Sequence, residues 1–206
     1  MKRFRLVLLV GVLGLVATTA DARTIQITSG VFTAVGIVGG ASGTFAGDGF
    51  SFTGGGLGGG GVNPVCFPCR PGESASLRTT YSGSDLIGSG IVDGVPTEFG
   101  SPDSGRVGML FEFTGSVVAP PESSADVTLD APFAFTARVS APFNHDLTGA
   151  GTAHAVFRPI TGGPFFLWQL RETAFEFAPV PEPGTLGLVG GGAAAGIARA
   201  IRRRFR

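Results

Sequence analysis

Apolar and polar residues alternate with a period of two through most of this chain. Residues 24–28 (TIQIT) set the pattern, and residues 31–38 form a β-branched and apolar run. Residues 44–52 carry Phe45, Phe50 and Phe52 among glycines. The clearest alternation is at residues 106–117: Val107, Met109, Phe111 and Phe113 fall on one side, Arg106, Gly108, Glu112 and Thr114 on the other. Successive side chains of a strand point to opposite faces, so such a segment buries one face and wets the other. Phe133, Phe135, Ala137 and Val139 repeat the device, as do Ala153, Ala155 and Phe157. Residues 164–178 put Phe165, Leu167, Phe175 and Phe177 in step, with an irregularity expected at Arg171 and Glu172.

Turn-forming residues punctuate these runs: Asp48-Gly49, Ser82-Gly83, Asp93-Gly94, Asp103 to Gly105, Pro120-Pro121, Asn144 to Asp146 and Gly162 to Pro164. Short alternating strands at this spacing predict an all-β fold, an antiparallel β-sandwich or jelly roll, as a single domain over residues 23–179. No part of the body has helical periodicity with caps. The glycine run at residues 54–61 (GGGLGGGG) reads as a flexible loop. It formally satisfies the G-x-G-x-x-G dinucleotide fingerprint, as any glycine run does, but no helix follows it to receive a phosphate.

The two ends break the pattern. Residues 1–22 begin with Lys2, Arg3 and Arg5, continue through an apolar run at 6–16, and close on Ala20-Asp21-Ala22. That is the order of a secretory signal peptide with cleavage after Ala22; an uncleaved membrane anchor is the alternative. At the other end, Pro181-Glu182-Pro183 precedes an uncharged Gly/Ala/Leu-rich run at 184–198, then Arg199, Arg202, Arg203, Arg204 and Arg206. Fifteen residues are short against the roughly 20 a membrane helix needs, so the run suits a temporary hold. The arginines would keep the C-terminus in the cytoplasm.

Charge changes meaning in this light. The formal net charge is 0, yet the leader and the tail are basic and residues 23–183 hold seven basic against fourteen acidic residues. An acidic body opposes binding to a phosphate backbone, so no nucleic-acid partner is expected. Lys2 is the only lysine, which removes Schiff-base chemistry from a mature chain. No cofactor is expected.

Candidate chemistry is sparse. Cys66-Phe-Pro-Cys69 reads first as a structural disulfide closing a small loop in an exported protein. A redox pair or half of a shared metal site are the alternatives; Pro71-Gly72 opposes the helix a redox cysteine needs. His145 in an Asn-His-Asp turn and His154 on a polar strand face are the only acid–base candidates, and a secreted hydrolase would use one of them with a nearby carboxylate. No G-x-S-x-G elbow is present. Glu112, Glu122, Asp126 and Asp130 could include a carboxylate pair, or read as solvated faces. Calcium could be held by Asp and Asn in the Gly-rich loops, though without EF-hand spacing.

The C-terminal triplet, apolar run and arginine cluster resemble the PEP-CTERM sorting signal of exopolysaccharide-producing Gram-negative bacteria. More loosely, Cys66 to Gly72, residues 79–83 (TTYSG) and residues 111–115 (FEFTG) are similar to a group of PEP-CTERM proteins with no assigned activity. The resemblance implies a sorting segment at 180–206, with Pro181, Glu182 and Pro183 recognised by an exosortase. It implies signal peptidase and the secretion machinery as earlier partners, and transient insertion in the inner membrane. The mature protein would then reach the cell surface or extracellular matrix in a structural, adhesive or carbohydrate-binding role, with exopolysaccharide as a candidate ligand. A non-enzymatic role is expected. The alternatives are the hydrolase and a tail-anchored periplasmic protein of structural role.

Overall fold

The computed structural model describes residues 23–35, 40–57, 68–160 and 165–179. They form strands β1 (Thr24–Val35), β2 (Gly40–Gly47), β3 (Phe50–Leu57), β4 (Ser74–Ser76), β5 (Thr79–Tyr81), β6 (Ile87–Val92) and β7 (Val95–Phe99), then β8 (Met109–Val118), β9 (Val127–Val139), β10 (His145–Ile160) and β11 (Leu167–Phe177). A single turn of 3-10 helix, Pro102–Ser104, precedes β8. The all-β single domain holds. Its layers, however, belong to one continuous sheet in the order β4-β8-β9-β10-β11-β1-β2-β3-β6-β7, with β5 also on β8.

The sheet is rolled. β1 and β8 are not hydrogen-bonded neighbours, yet the Phe32 ring lies 5.3 Å from both Phe111 and Phe113. Phe45 of β2 likewise reaches Phe111 at 5.9 Å and Phe135 at 5.3 Å. The two ends of the strand order meet where Val107 donates to the Glu98 carbonyl at 2.9 Å and Gly100 donates to the Val107 carbonyl at 3.1 Å. Rolling removes an open sheet edge and gives the aromatic faces of distant strands a common interior.

Phe113 sits at the centre of that interior. Its ring stacks on Phe175 at 4.2 Å and meets Phe32, Phe135, Phe133, Phe111 and Phe177 between 5.1 and 6.0 Å. The predicted inward faces of β8, β9 and β10 are the buried ones.

Two strands keep their apolar side inward only by changing phase. In β1, Ile25 and Ile27 are buried before a bulge between Ile27 and Ser29, and Phe32 and Ala34 after it. Gly30 makes this possible: its φ is 121°, and a Cβ there would lie 2.2 Å from the Thr44 carbonyl oxygen. That conformation and that approach exclude any other residue. The same bulge divides the partners of β1: residues 24–27 run parallel to β10, and residues 31–35 antiparallel to β11.

In β11 the irregularity falls where expected. Val156 pairs with Glu172 and Phe157 with Leu170, which leaves Arg171 as the extra residue. Its consequence differs from the expectation of Phe165 and Leu167 in step with Phe175 and Phe177. Before the bulge the buried residues are Trp168 and Leu170, and Phe165 is 66% exposed.

Residues 54–57 are not loop but the end of β3: all four pair with β2, and Gly54 and Gly55 also pair with β6. The glycines permit close strand approach: a Cβ on Gly56 would lie 1.9 Å from the Asp85 carbonyl oxygen. Residues 58–61 lie outside the described residues, as does the turn signal Gly162 to Pro164.

Replacing Phe113 by Ala removes the ring at the centre of the cluster and should cost about 3–5 kcal/mol, as for other buried aromatic truncations. Thr114→Ala, on the outward face of the same strand, should stay within about 0.5 kcal/mol. Urea unfolding of the two variants beside the parent checks both.

Candidate functional site

The fold sorts the candidate residues into three places. The first is the pole of the rolled sheet at which β1 begins. His145 is not in a turn; it is the first residue of β10 and only 8% exposed. The preceding turn contains a cis Ala141–Pro142 peptide, and Asn144 has a φ of 53°. The His145 Nε2 lies 2.6 Å from Asp93 Oδ2. Arg23 links this pair to a second turn, with Nη1 donating to Asp93 Oδ1 at 3.1 Å and Nη2 to Asp48 Oδ2 at 2.9 Å. Asp48, Arg23, Asp93 and His145 thus form one row across four chain segments. The His145 Nδ1 is buried with no hydrogen-bond partner among the described residues.

The second place is the outward face of β9, β10 and β11. Register sets Asp130 directly opposite His154, and Glu176 opposite Thr152 on the other side. His154 Nδ1 lies 2.7 Å from Asp130 Oδ1 and Nε2 lies 3.2 Å from Glu176 Oε2. An imidazole can donate from both nitrogens only when protonated. The hydrogen bonds to Asp130 and then Glu176 therefore raise its pKa, against a smaller opposing effect of desolvation.

Among the described residues no serine hydroxyl bonds to either histidine, so the Ser-His-carboxylate arrangement is not assembled there. The candidate carboxylates meet cations rather than one another. Glu112 pairs with Arg78, Asp126 with Arg158 at 3.5 Å and Arg171 at 3.7 Å, and Asp130 with His154. Glu122 is exposed in the loop after β8. No group of three or more His, Cys, Asp or Glu that could hold a metal occurs among the described residues. Burial pushes the Tyr81 phenol up to about 12, so it is neutral at physiological pH.

The third place is the opposite pole. Cys69 is buried and bridges Trp168 through a reciprocal backbone pair, Cys69 N to Trp168 O at 3.1 Å and Trp168 N to Cys69 O at 2.8 Å. Trp168 Nε1 donates to the Pro120 carbonyl at 2.9 Å, which ties the loop after β8 to the same point. Arg70 lies over the exposed Phe165 ring at 5.8 Å. A turn follows Cys69, then β4, and among the described residues no helix end faces its sulfur. Trp168 escaped the sequence reading; a lone tryptophan three residues before the expected bulge was the available signal. Cys66 lies outside the described residues.

One further feature is a shallow depression of about 640 Å³ on the outward face of β3, β6 and β7. Ser51, Thr53, Ser89 and Glu98 supply hydroxyl and carboxylate groups to it, and Ile91 and Pro96 supply apolar ones.

Protonation of His154 is favoured in the folded state. The stabilisation from its cluster should be complete below the ordinary imidazole value, about 6.5, and should fade as pH rises through the raised folded value. An NMR titration of the two imidazoles checks this: His154 titrates above the ordinary value in the parent, and Asp130→Asn brings it down.

Leader residues 1–22 lie outside the described residues, as do Pro181, Glu182, Pro183 and the arginines at 199, 202, 203, 204 and 206. No helix among the described residues is long and apolar enough to cross a membrane. The body ends at β11, and Ala178 still donates to the Ala150 carbonyl at 3.1 Å. Residues 179–204 match the family model of the PEP-CTERM protein-sorting motif. No curated protein and no solved structure matches the chain. Directly after the last strand the chain thus carries a PEP-CTERM protein-sorting motif, the signal of an exported protein addressed to an exosortase.

Proposed function

We propose that the body is a non-catalytic component of the cell surface or extracellular matrix, released there after an exosortase cuts near Pro181-Glu182-Pro183. The observation that carries this reading is the sorting motif, which starts two residues beyond the last residue of β11. The arginines that follow the apolar run hold the C-terminus in the cytoplasm until the cut. A weakly apolar run suits a segment that must let go: strong apolar residues each favour insertion by only about 0.3–0.6 kcal/mol, and this run is mostly glycine and alanine.

The adhesive part of the reading rests on the depression of β3, β6 and β7. Side-chain hydroxyls and Glu98 can exchange hydrogen bonds with sugar hydroxyls, and Ile91 and Pro96 offer apolar contact to a ring face. Exopolysaccharide is the ligand class that this chemistry fits. The rolled core is already filled by phenylalanine rings, so recognition belongs to the outer surface.

The Cys66–Cys69 pairing belongs to the same account. Cys69 is not free, it is buried beside Trp168, and an exported protein meets an oxidising compartment. Closing so short a loop stabilises by at most about 2 kcal/mol. A thiol reagent added to the denatured, unreduced protein should therefore find no reactive sulfur.

Glu182→Ala should leave the leader processed and the protein exported, but keep the C-terminal segment attached and the protein with the inner membrane. Fractionation and immunoblotting of a host carrying the exosortase check this. Release of the variant at the parent's rate would overturn the sorting role of the triplet.

A further inference from the structure

The distance from fold to sorting motif is short enough to constrain how the protein is cut. Strand directions place both chain ends at one pole. β10 runs away from this pole, β1 runs parallel beside its first residues, and β11 returns antiparallel. The turns at Asp48-Gly49 and Asp93-Gly94 and the turn before His145 complete the pole, joined through Arg23.

β11 stops before reaching the rim. Phe177 pairs with Gly151 and Ala178 is held by Ala150, while the rim lies at Asp146, whose N–H bonds to the Arg23 carbonyl at 3.0 Å. Four residues along β10 span about 14 Å. From Ala178 to Pro181 the chain can cover about 10 Å at full stretch. Pro181 therefore stops short of the rim, and Pro183, at most about 17 Å from Ala178, passes it by only about 3 Å. Gly184, where the apolar run starts, can lie at most about 20 Å from Ala178. That leaves about 6 Å beyond the rim, roughly the depth of one headgroup layer.

Fraying cannot supply more length cheaply. Phe177 is 5% exposed and its ring lies within 5.6 Å of Phe45, Phe133 and Phe135. Withdrawing Phe177 would open the core around those rings. The folded body and the cutting enzyme must meet.

We propose that the pole carrying Arg23, Asp48 and Asp93 is a docking surface for the exosortase, pressed against the enzyme's periplasmic side while the triplet is in its active site. This rests on the sorting reading above. The occupant is protein rather than lipid because acid is in excess at the pole: Asp48, Asp93 and Asp146 outnumber Arg23 and Arg138, which stands opposite Asp146 in the register of β9 and β10, and the Asp48 side chain is 90% exposed. An anionic lipid surface repels such a pole, and a basic or neutral polar protein surface accepts it. Arg23, which the expected leader cleavage would make the first residue, lies at the same pole, so both processing events would address one end of the body.

The test is a steric obstacle. A small folded tag is inserted between Asp48 and Gly49 in the full-length chain, and in a second variant between Glu122 and Ser123 near the opposite pole. Both are expressed with the exosortase, and the mass of the product is read. The tag at Asp48 should abolish C-terminal cutting while the leader is still removed; the tag at Glu122 should leave cutting intact. Adding about twenty Gly/Ser residues after Ala178 gives a root-mean-square reach of about 25 Å and should restore cutting to the blocked variant, which separates obstruction from misfolding. Cutting of the Asp48-tagged chain at the parent's rate overturns the docking surface, as does a failure of the linker to rescue. If the parent chain itself is left uncut, the sorting reading falls and the docking surface with it.

Discussion

The structure depends on where its phenylalanine rings can go. A flat sheet with this many aromatic residues on one face would expose them, and no helix among the described residues is available to cover them. Rolling the sheet lets β1, β2 and β3 cover β8, β9 and β11, with Phe113 in contact with rings from three other strands. Each aromatic pair adds about 0.5–1.5 kcal/mol beyond burial. The exposed ion pairs, by contrast, are worth about 0–1 kcal/mol each, so they trim the surface and do not hold the fold.

That requirement explains the irregular features. A strand in a strongly curved sheet must bend, and the bulges at Ile27/Ser29 and at Arg171 supply the bend. A bulge also reverses which side of the strand faces inward. Gly30 exists for the first; Trp168 follows from the second, because the reversal turns it inward and Phe165 outward. Trp168 then becomes the anchor for Cys69 and Pro120 at the pole opposite the chain ends.

Much of this was legible in the sequence. The inward faces of β8, β9 and β10 and the hairpin turns at Asp48 and Asp93 follow from alternation and turn chemistry. What was not legible depended on long-range geometry. Residues 74–99 carry β4 to β7 with Leu77, Tyr81, Leu86 and Phe99 buried, yet their apolar positions are too sparse and their glycines too many for a clear period. Residues 54–57 read as loop because glycine density signals flexibility locally, whereas here close strand approach demands it. His145 looked like a turn residue because Asn144 and Asp146 flank it; its burial depends on Asp93, brought in from β6 and β7. The sorting tail was legible from local order alone, since a processing enzyme reads a short linear segment.

The central claim is that this body is exported, held briefly by its tail and then cut free. Intact mass of the protein from cell and medium fractions of an exosortase-bearing host tests it most directly. The account predicts a product beginning at Arg23 and ending at or near Pro183. A mature protein that retains its C-terminal arginines while the exosortase is active would contradict it.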